Sequence, residues 1–110
     1  MSAFNTVSYK LTNPETGESM NVKLQFKYGD TWQHDYKIGD VLKWGGNHIG
    51  HKNAKRVVVD ACLDGPSPFP SAAEDYEVHV VNGRIARVVP STGRFDFVTA
   101  KESFIILEDG

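Results

Sequence analysis

Residues 76–89 read Tyr76-Glu77-Val78-His79-Val80-Val81-Asn82-Gly83-Arg84-Ile85-Ala86-Arg87-Val88-Val89. Tyr76, Val78 and Val80 alternate with Glu77 and His79, a period of two that places one set of side chains on each face of a strand. Asn82-Gly83 interrupts the alternation, and Ile85, Arg87 and Val89 continue on a return strand that Pro90 ends. A two-residue turn of type I′ needs positive φ at both central residues, and Asn-Gly meets that need. The stretch specifies a β-hairpin, and the rest of the chain reads in the same class.

Upstream, Val57-Val58-Val59 is a β-branched run bounded by polar residues, as expected of a central strand buried on both faces. Between it and the hairpin, Gly65-Pro66-Ser67-Pro68-Phe69-Pro70-Ser71 forms an irregular loop, because three prolines fix φ and remove donors. At the N-terminus, Val7, Tyr9 and Leu11 mark one face of a strand, Asn13-Pro14-Glu15-Thr16-Gly17 a turn, and Val22, Leu24, Phe26 and Tyr28 the inner face of a second strand. Gly29-Asp30 breaks that pattern. A short strand is expected over Val41-Leu42-Lys43-Trp44, and a loop over 45–51, where three glycines stand within six residues. Phe95-Asp96-Phe97 and Phe104-Ile105-Ile106-Leu107 supply one or two late strands, and Thr99-Ala100-Lys101-Glu102 a single helical turn. The expected fold is mainly β: a small antiparallel sheet of six to seven short strands, a partly open barrel or sandwich, with little helix.

The totals bound the function. The chain has 110 residues, the size of one domain spanning 1–110, and its 40 % apolar content suffices for a core. Cys62 is the sole cysteine, so neither an internal disulfide nor a four-cysteine zinc site can form, which favours a reducing compartment. The N-terminal residues lack a secretory pattern and no apolar run suffices to span a bilayer, so a cytoplasmic location is expected. Charge is uneven. Residues 20–56 hold seven Lys/Arg and three Asp, whereas residues 57–81 hold Asp60, Asp64, Glu74, Asp75 and Glu77 with no Lys or Arg. The net charge of -2 selects no partner by itself, but the acidic block suits a basic one.

Four groupings carry potential chemistry. His48 and His51 stand at H-x-x-H spacing, and a metal-dependent enzyme could use them with Asp60 or His79; two loop histidines in water is the simpler reading. Cys62 with His79 could be nucleophile and base, against a small buried cysteine at a strand end. Trp32, Tyr36 and Trp44, with Tyr28, are interleaved with Lys27, Lys37 and Lys43, a composition that can stack single-stranded bases or simply pack as core. Finally, the acidic block flanks the proline-rich loop, which carries Phe69 at its centre.

The hairpin from Phe4 to Tyr28 resembles a zinc ribbon whose C-P-x-C-G knuckle has lost both cysteines, with Asn13 and Thr16 at the thiolate positions. The second knuckle falls at Cys62-Leu63-Asp64-Gly65, where one cysteine of two survives. The segment from Gln25 through Ile38-Gly39-Asp40 to Lys43-Trp44-Gly45-Gly46-Asn47 is similar to small bacterial proteins that keep those cysteines. Without the ligands, apolar packing by Val7, Leu24, Phe26, Val57, Val59, Val78, Val80 and Ile85 must replace a metal contribution on the order of 10 kcal/mol, so no structural zinc and no cofactor is expected.

Small non-enzymatic bacterial β proteins of this size also resemble immunity partners that neutralise toxins. That resemblance implies a protein-binding module, not an enzyme, that inhibits a basic toxin domain through Asp64, Phe69, Glu74, Asp75 and Glu77. Nucleic-acid binding through Trp32, Tyr36 and Trp44 is the alternative.

Overall fold

The computed structural model describes residues 4–31, 33–45, 48–65, 69, 75–91, 93–95, 97 and 104–109, apart from the side chain of His48. Among these, the elements are strands: β1 Asn5–Thr12, β2 Ser19–Phe26, β3 Gly29–Asp30, β4 Asp35–Tyr36, β5 His48–Ile49, β6 Arg56–Leu63, β7 Asp75–Val81, β8 Arg84–Pro90 and β9 Phe104–Glu108. The expected mainly β architecture is present as a curled, mixed half-barrel. The sheet runs β4-β1-β2-β6-β7-β8, with β9 on β6, and β3 pairs β5 separately. All pairings are antiparallel except β1 with β4.

The β7–β8 hairpin turns at Asn82 (φ 52°) and Gly83 (φ 76°), the two positive angles that the sequence requires there. Its return strand departs from simple alternation. A register shift between His79 and Val80 inserts an extra residue on β8, so Ile85 and Val88 face the core while Ala86 and Arg87 are exposed.

β6 is the hub. Its N-terminal half pairs β7 on one side and β9 on the other, and its C-terminal half pairs β7 and β2. Val57, Val58 and Val59 are all buried, as a strand covered on both faces requires. Each contributes about 1.5–3 kcal/mol by leaving water. The inner face joins Val57 and Val59 to Val7, Leu24, Phe26, Tyr76, Val78, Val80 and Ile85, while Val58 is buried on the opposite face.

Three local expectations change. Val41–Trp44 is not a strand: only Val41 makes a bridge, to Arg84. The chain there instead ties the two sheet edges together. β4 lies on β1, and a few residues later the Gly39 N–H donates to the Ile85 carbonyl (2.7 Å), the Ile85 N–H to Asp40 (2.9 Å) and the Leu42 N–H to Gly83 (2.8 Å). Edge backbone groups that would face solvent are thereby covered at one end of the half-barrel. The glycine-rich loop contains β5, because Gly29 and Asp30 offer Ile49 and His48 a ladder. Phe95 and Phe97 form a tilted ring pair, not a strand, and Phe95 packs edge-on to His79. The helical turn expected at Thr99–Glu102 and Asp96 lie outside the described residues.

Candidate interaction surface

The outer face of β6 carries Asp60 and Cys62, with Asp64 just beyond the strand end. Alternation forces this: Ala61 is buried on the inner face, so its neighbours in sequence point out. Cys62 pairs with Asp75 across the β6–β7 ladder, and Asp60 pairs with Glu77. Opposed positions in such a ladder hold their side chains about 5 Å apart at Cβ. Three aspartates therefore surround one thiol.

The electrostatics record that crowding. Burial raises the Asp60 carboxyl above the usual carboxylate range, and the charge of Asp75 adds to the shift. Burial likewise raises the Cys62 thiol, followed by Asp60, Asp75 and Asp64 in turn. Among the described residues, no ion pair joins Asp60, Asp64 or Asp75 to a cation. Asp64 is instead held by neutral donors: its Oδ1 accepts from Gln25 Nε2 at 2.7 Å, and its N–H donates to the Lys23 carbonyl at 2.9 Å.

A shallow groove of about 170 Å³ opens beside this cluster, lined by Phe4, Gln25, Phe26, Lys27, Asp60, Ala61 and Cys62. It is smaller than the 300–1,000 Å³ typical of drug-sized ligand sites. It matches the size of one large side chain.

The five contacts expected from sequence separate. Asp64 and Asp75 are exposed. Phe69 is buried in the core, so its ring is turned inward and not toward a partner. Glu77 is buried as well, with only 4 % exposure. Its Oε1 lies 3.2 Å from His79 Nε2, while its Oε2 is buried with no hydrogen-bond partner among the described residues. Glu74 lies outside the described residues, as does most of the loop. Cys62, expected to be a small buried residue, is exposed. Asp60, Phe4, Gln25 and Lys27 were missed as surface partners. A signal existed: residues 60, 62 and 64 share a parity, but the reading of the Val57-Val58-Val59 strand as buried on both faces hid it.

The aromatic grouping is mostly interior. Tyr36 is 3 % exposed, and its hydroxyl accepts from the Lys43 N–H at 3.1 Å. Trp44 packs edge-on to the buried Tyr28 at 5.4 Å, and Trp32 lies outside the described residues. Tyr36 therefore offers no base-stacking surface, since its ring is covered by its own fold.

His51 is exposed, and the backbone of His48 belongs to β5. Among the described residues, no group of three or more His, Cys, Asp or Glu is placed to hold a metal. Cys62 and His79 do not meet: Cys62 opposes Asp75, four residues from His79 along β7, or about 13 Å. The raised thiol also runs against the lowered pKa of a reactive cysteine. Of the two knuckle positions, Asn13–Thr16 sits at the β1–β2 turn, and Cys62 opposes Gln25 about 20 Å along β2 from Ser19.

Comparison of the chain with family models, curated proteins and solved structures yields no match. Among the described residues, no helix is long and apolar enough to cross a membrane.

Proposed function

We propose that this chain is a protein-binding module whose acidic outer face engages a basic protein, acting as an inhibitor of the toxin-immunity kind. The carrying observation is the like charge gathered on one face: beyond burial, Asp75 pushes the Asp60 carboxyl up, and Asp60, Asp75 and Asp64 push the Cys62 thiol up. Gathering these carboxylates beside a thiol works against folding, and among the described residues no ion pair joins them to a cation. A basic partner recovers that cost on binding, which steers the encounter and fixes its register. The contact set is thus Asp60, Asp64 and Asp75, with Glu77 withdrawn from it because a buried side chain cannot reach a partner.

The test takes a protein captured by the wild-type chain and measures its purified affinity for the Asp64→Lys/Asp75→Lys variant, with circular dichroism confirming the fold. Affinity should fall about 100-fold, largely through the association rate, and the loss should shrink at high salt. The captured protein's toxicity in co-expression should return with the variant. Equal affinity for both forms, or a captured partner that is itself acidic, would remove the basis for this reading.

A further inference from the structure

We infer that the groove beside β6 receives one arginine side chain of the protein partner. The inference rests on the acidic-face reading and adds to it the chemistry of the central contact. Phe4 and Phe26 give the groove apolar walls, and Asp60 supplies a half-buried carboxylate with no ion pair among the described residues. Gln25 supplies the second acceptor. Its Nε2 is committed to Asp64, so its carbonyl oxygen is the end left to accept.

An apolar wall with acceptors from two neighbouring strands selects a planar cation. A guanidinium can lie against an aromatic face while its fork donates to both oxygens; an ammonium is a strongly hydrated point charge that does neither as well. The cavity volume sets the stoichiometry, since a groove of about 170 Å³ holds one such side chain. Lys27 lines the same groove and opposes a cationic guest. It thereby tunes affinity downward, and its removal should strengthen binding.

Cys62 reports occupancy, because it lines the groove and is the sole cysteine of the chain. A cation that merely gathers on the acidic surface stabilises the thiolate and speeds alkylation. A side chain that fills the groove covers the sulfur and slows it. The two binding modes therefore move one rate in opposite directions.

The experiment titrates the intact chain with nonaarginine and, separately, nonalysine, following Cys62 alkylation by iodoacetamide and total binding by calorimetry. Nonaarginine should slow alkylation several-fold at saturation, and nonalysine should leave it unchanged or faster. Asp60→Asn should abolish the protection, and Lys27→Gln should extend it to lower peptide concentration. If nonaarginine binds in a salt-sensitive way while alkylation is undiminished, the groove inference fails and the acidic-face reading stands. If neither peptide binds at low salt, both fail.

Discussion

Gly50 and Gly65 allow the cost of a steric clash to be separated from the cost of an unusual backbone angle. Both adopt nearly the same left-handed conformation, φ 102° at Gly50 and φ 109° at Gly65. Their surroundings differ. A Cβ added at Gly65 meets nothing among the described residues within 4 Å, whereas one added at Gly50 would fall 2.1 Å from Cε1 of Tyr28 and 2.6 Å from Cδ1. Tyr28 cannot yield, because it is 1 % exposed and wedged edge-on between Trp44 (5.4 Å) and Phe104 (5.1 Å). Its hydroxyl also donates to the His51 carbonyl at 3.0 Å and accepts from the His51 N–H at 3.3 Å, clamping the very segment that carries Gly50. Gly65→Ala should therefore cost about 1–2 kcal/mol, the penalty of placing an L side chain at positive φ. Gly50→Ala should cost that plus about 1–3 kcal/mol for overpacking. The assay is urea unfolding followed by tryptophan fluorescence, with thermal melts alongside; for a domain near this size each kcal/mol lowers Tm by about 4–8 °C. The double variant Gly50→Ala/Tyr28→Leu should recover part of the steric excess, since the clashing ring is gone. Equal losses for the two alanine variants, or strict additivity of Gly50→Ala with Tyr28→Leu, would falsify the contact as the reason for glycine at position 50.

Further outcomes follow from the charged groups. Asp60→Asn/Asp75→Asn should speed alkylation of Cys62 near neutral pH about 2- to 5-fold, as the two largest charges holding its thiol protonated are removed; an unchanged rate would mean that these carboxylates do not govern the sulfur. His79→Ala strips Glu77 of its hydrogen-bond partner and should cost about 1–3 kcal/mol in urea unfolding, whereas Glu77→Gln should cost less, because one carboxylate oxygen is already unsatisfied. The reverse order would show that the pair is not what Glu77 depends on. The Asp60 carboxyl, raised first by burial and then by Asp75, takes up its proton in the folded chain before the unfolded chain does. Its contribution thus increases stability as pH falls from neutral through that raised pKa, and levels off below the ordinary Asp value. Asp35 runs the other way: hydrogen bonds from Thr6 and then Lys23 hold it low, so its contribution is present above the ordinary Asp value and is lost as pH falls through the lowered one. Urea midpoints from pH 7 to pH 3 for wild type, Asp60→Asn and Asp35→Asn should show each variant losing its own part of the profile; superimposable profiles would contradict both assignments.

What the sequence determined by itself is local. Asn82-Gly83 had to turn as it does because few other pairs tolerate two consecutive positive φ angles, and Val57-Val58-Val59 had to be central because three adjacent β-branched residues need cover on both faces. Val7, Leu24 and Phe26 were legible as core for the same reason: a period of two in side-chain character is a period of two in direction. What tertiary structure alone decided is which distant segments meet. The bulge at His79/Val80 resets the β8 pattern, and no residue type announces it. Gly39–Leu42 closes one end of the half-barrel through backbone bonds, which are blind to side-chain identity. Phe69 and Glu77 read as surface residues among prolines and acids, yet both are buried, Phe69 in the core and Glu77 on the outer face beside His79. The candidate site has the same divided origin. The parity of Asp60, Cys62 and Asp64 was in the sequence, but their company with Asp75 depends on the β6–β7 register, and the groove on Gln25 arriving across the β2–β6 seam and on Phe4 from the start of β1. Local chemistry sets each strand's two faces; only pairing between strands sets what those faces see.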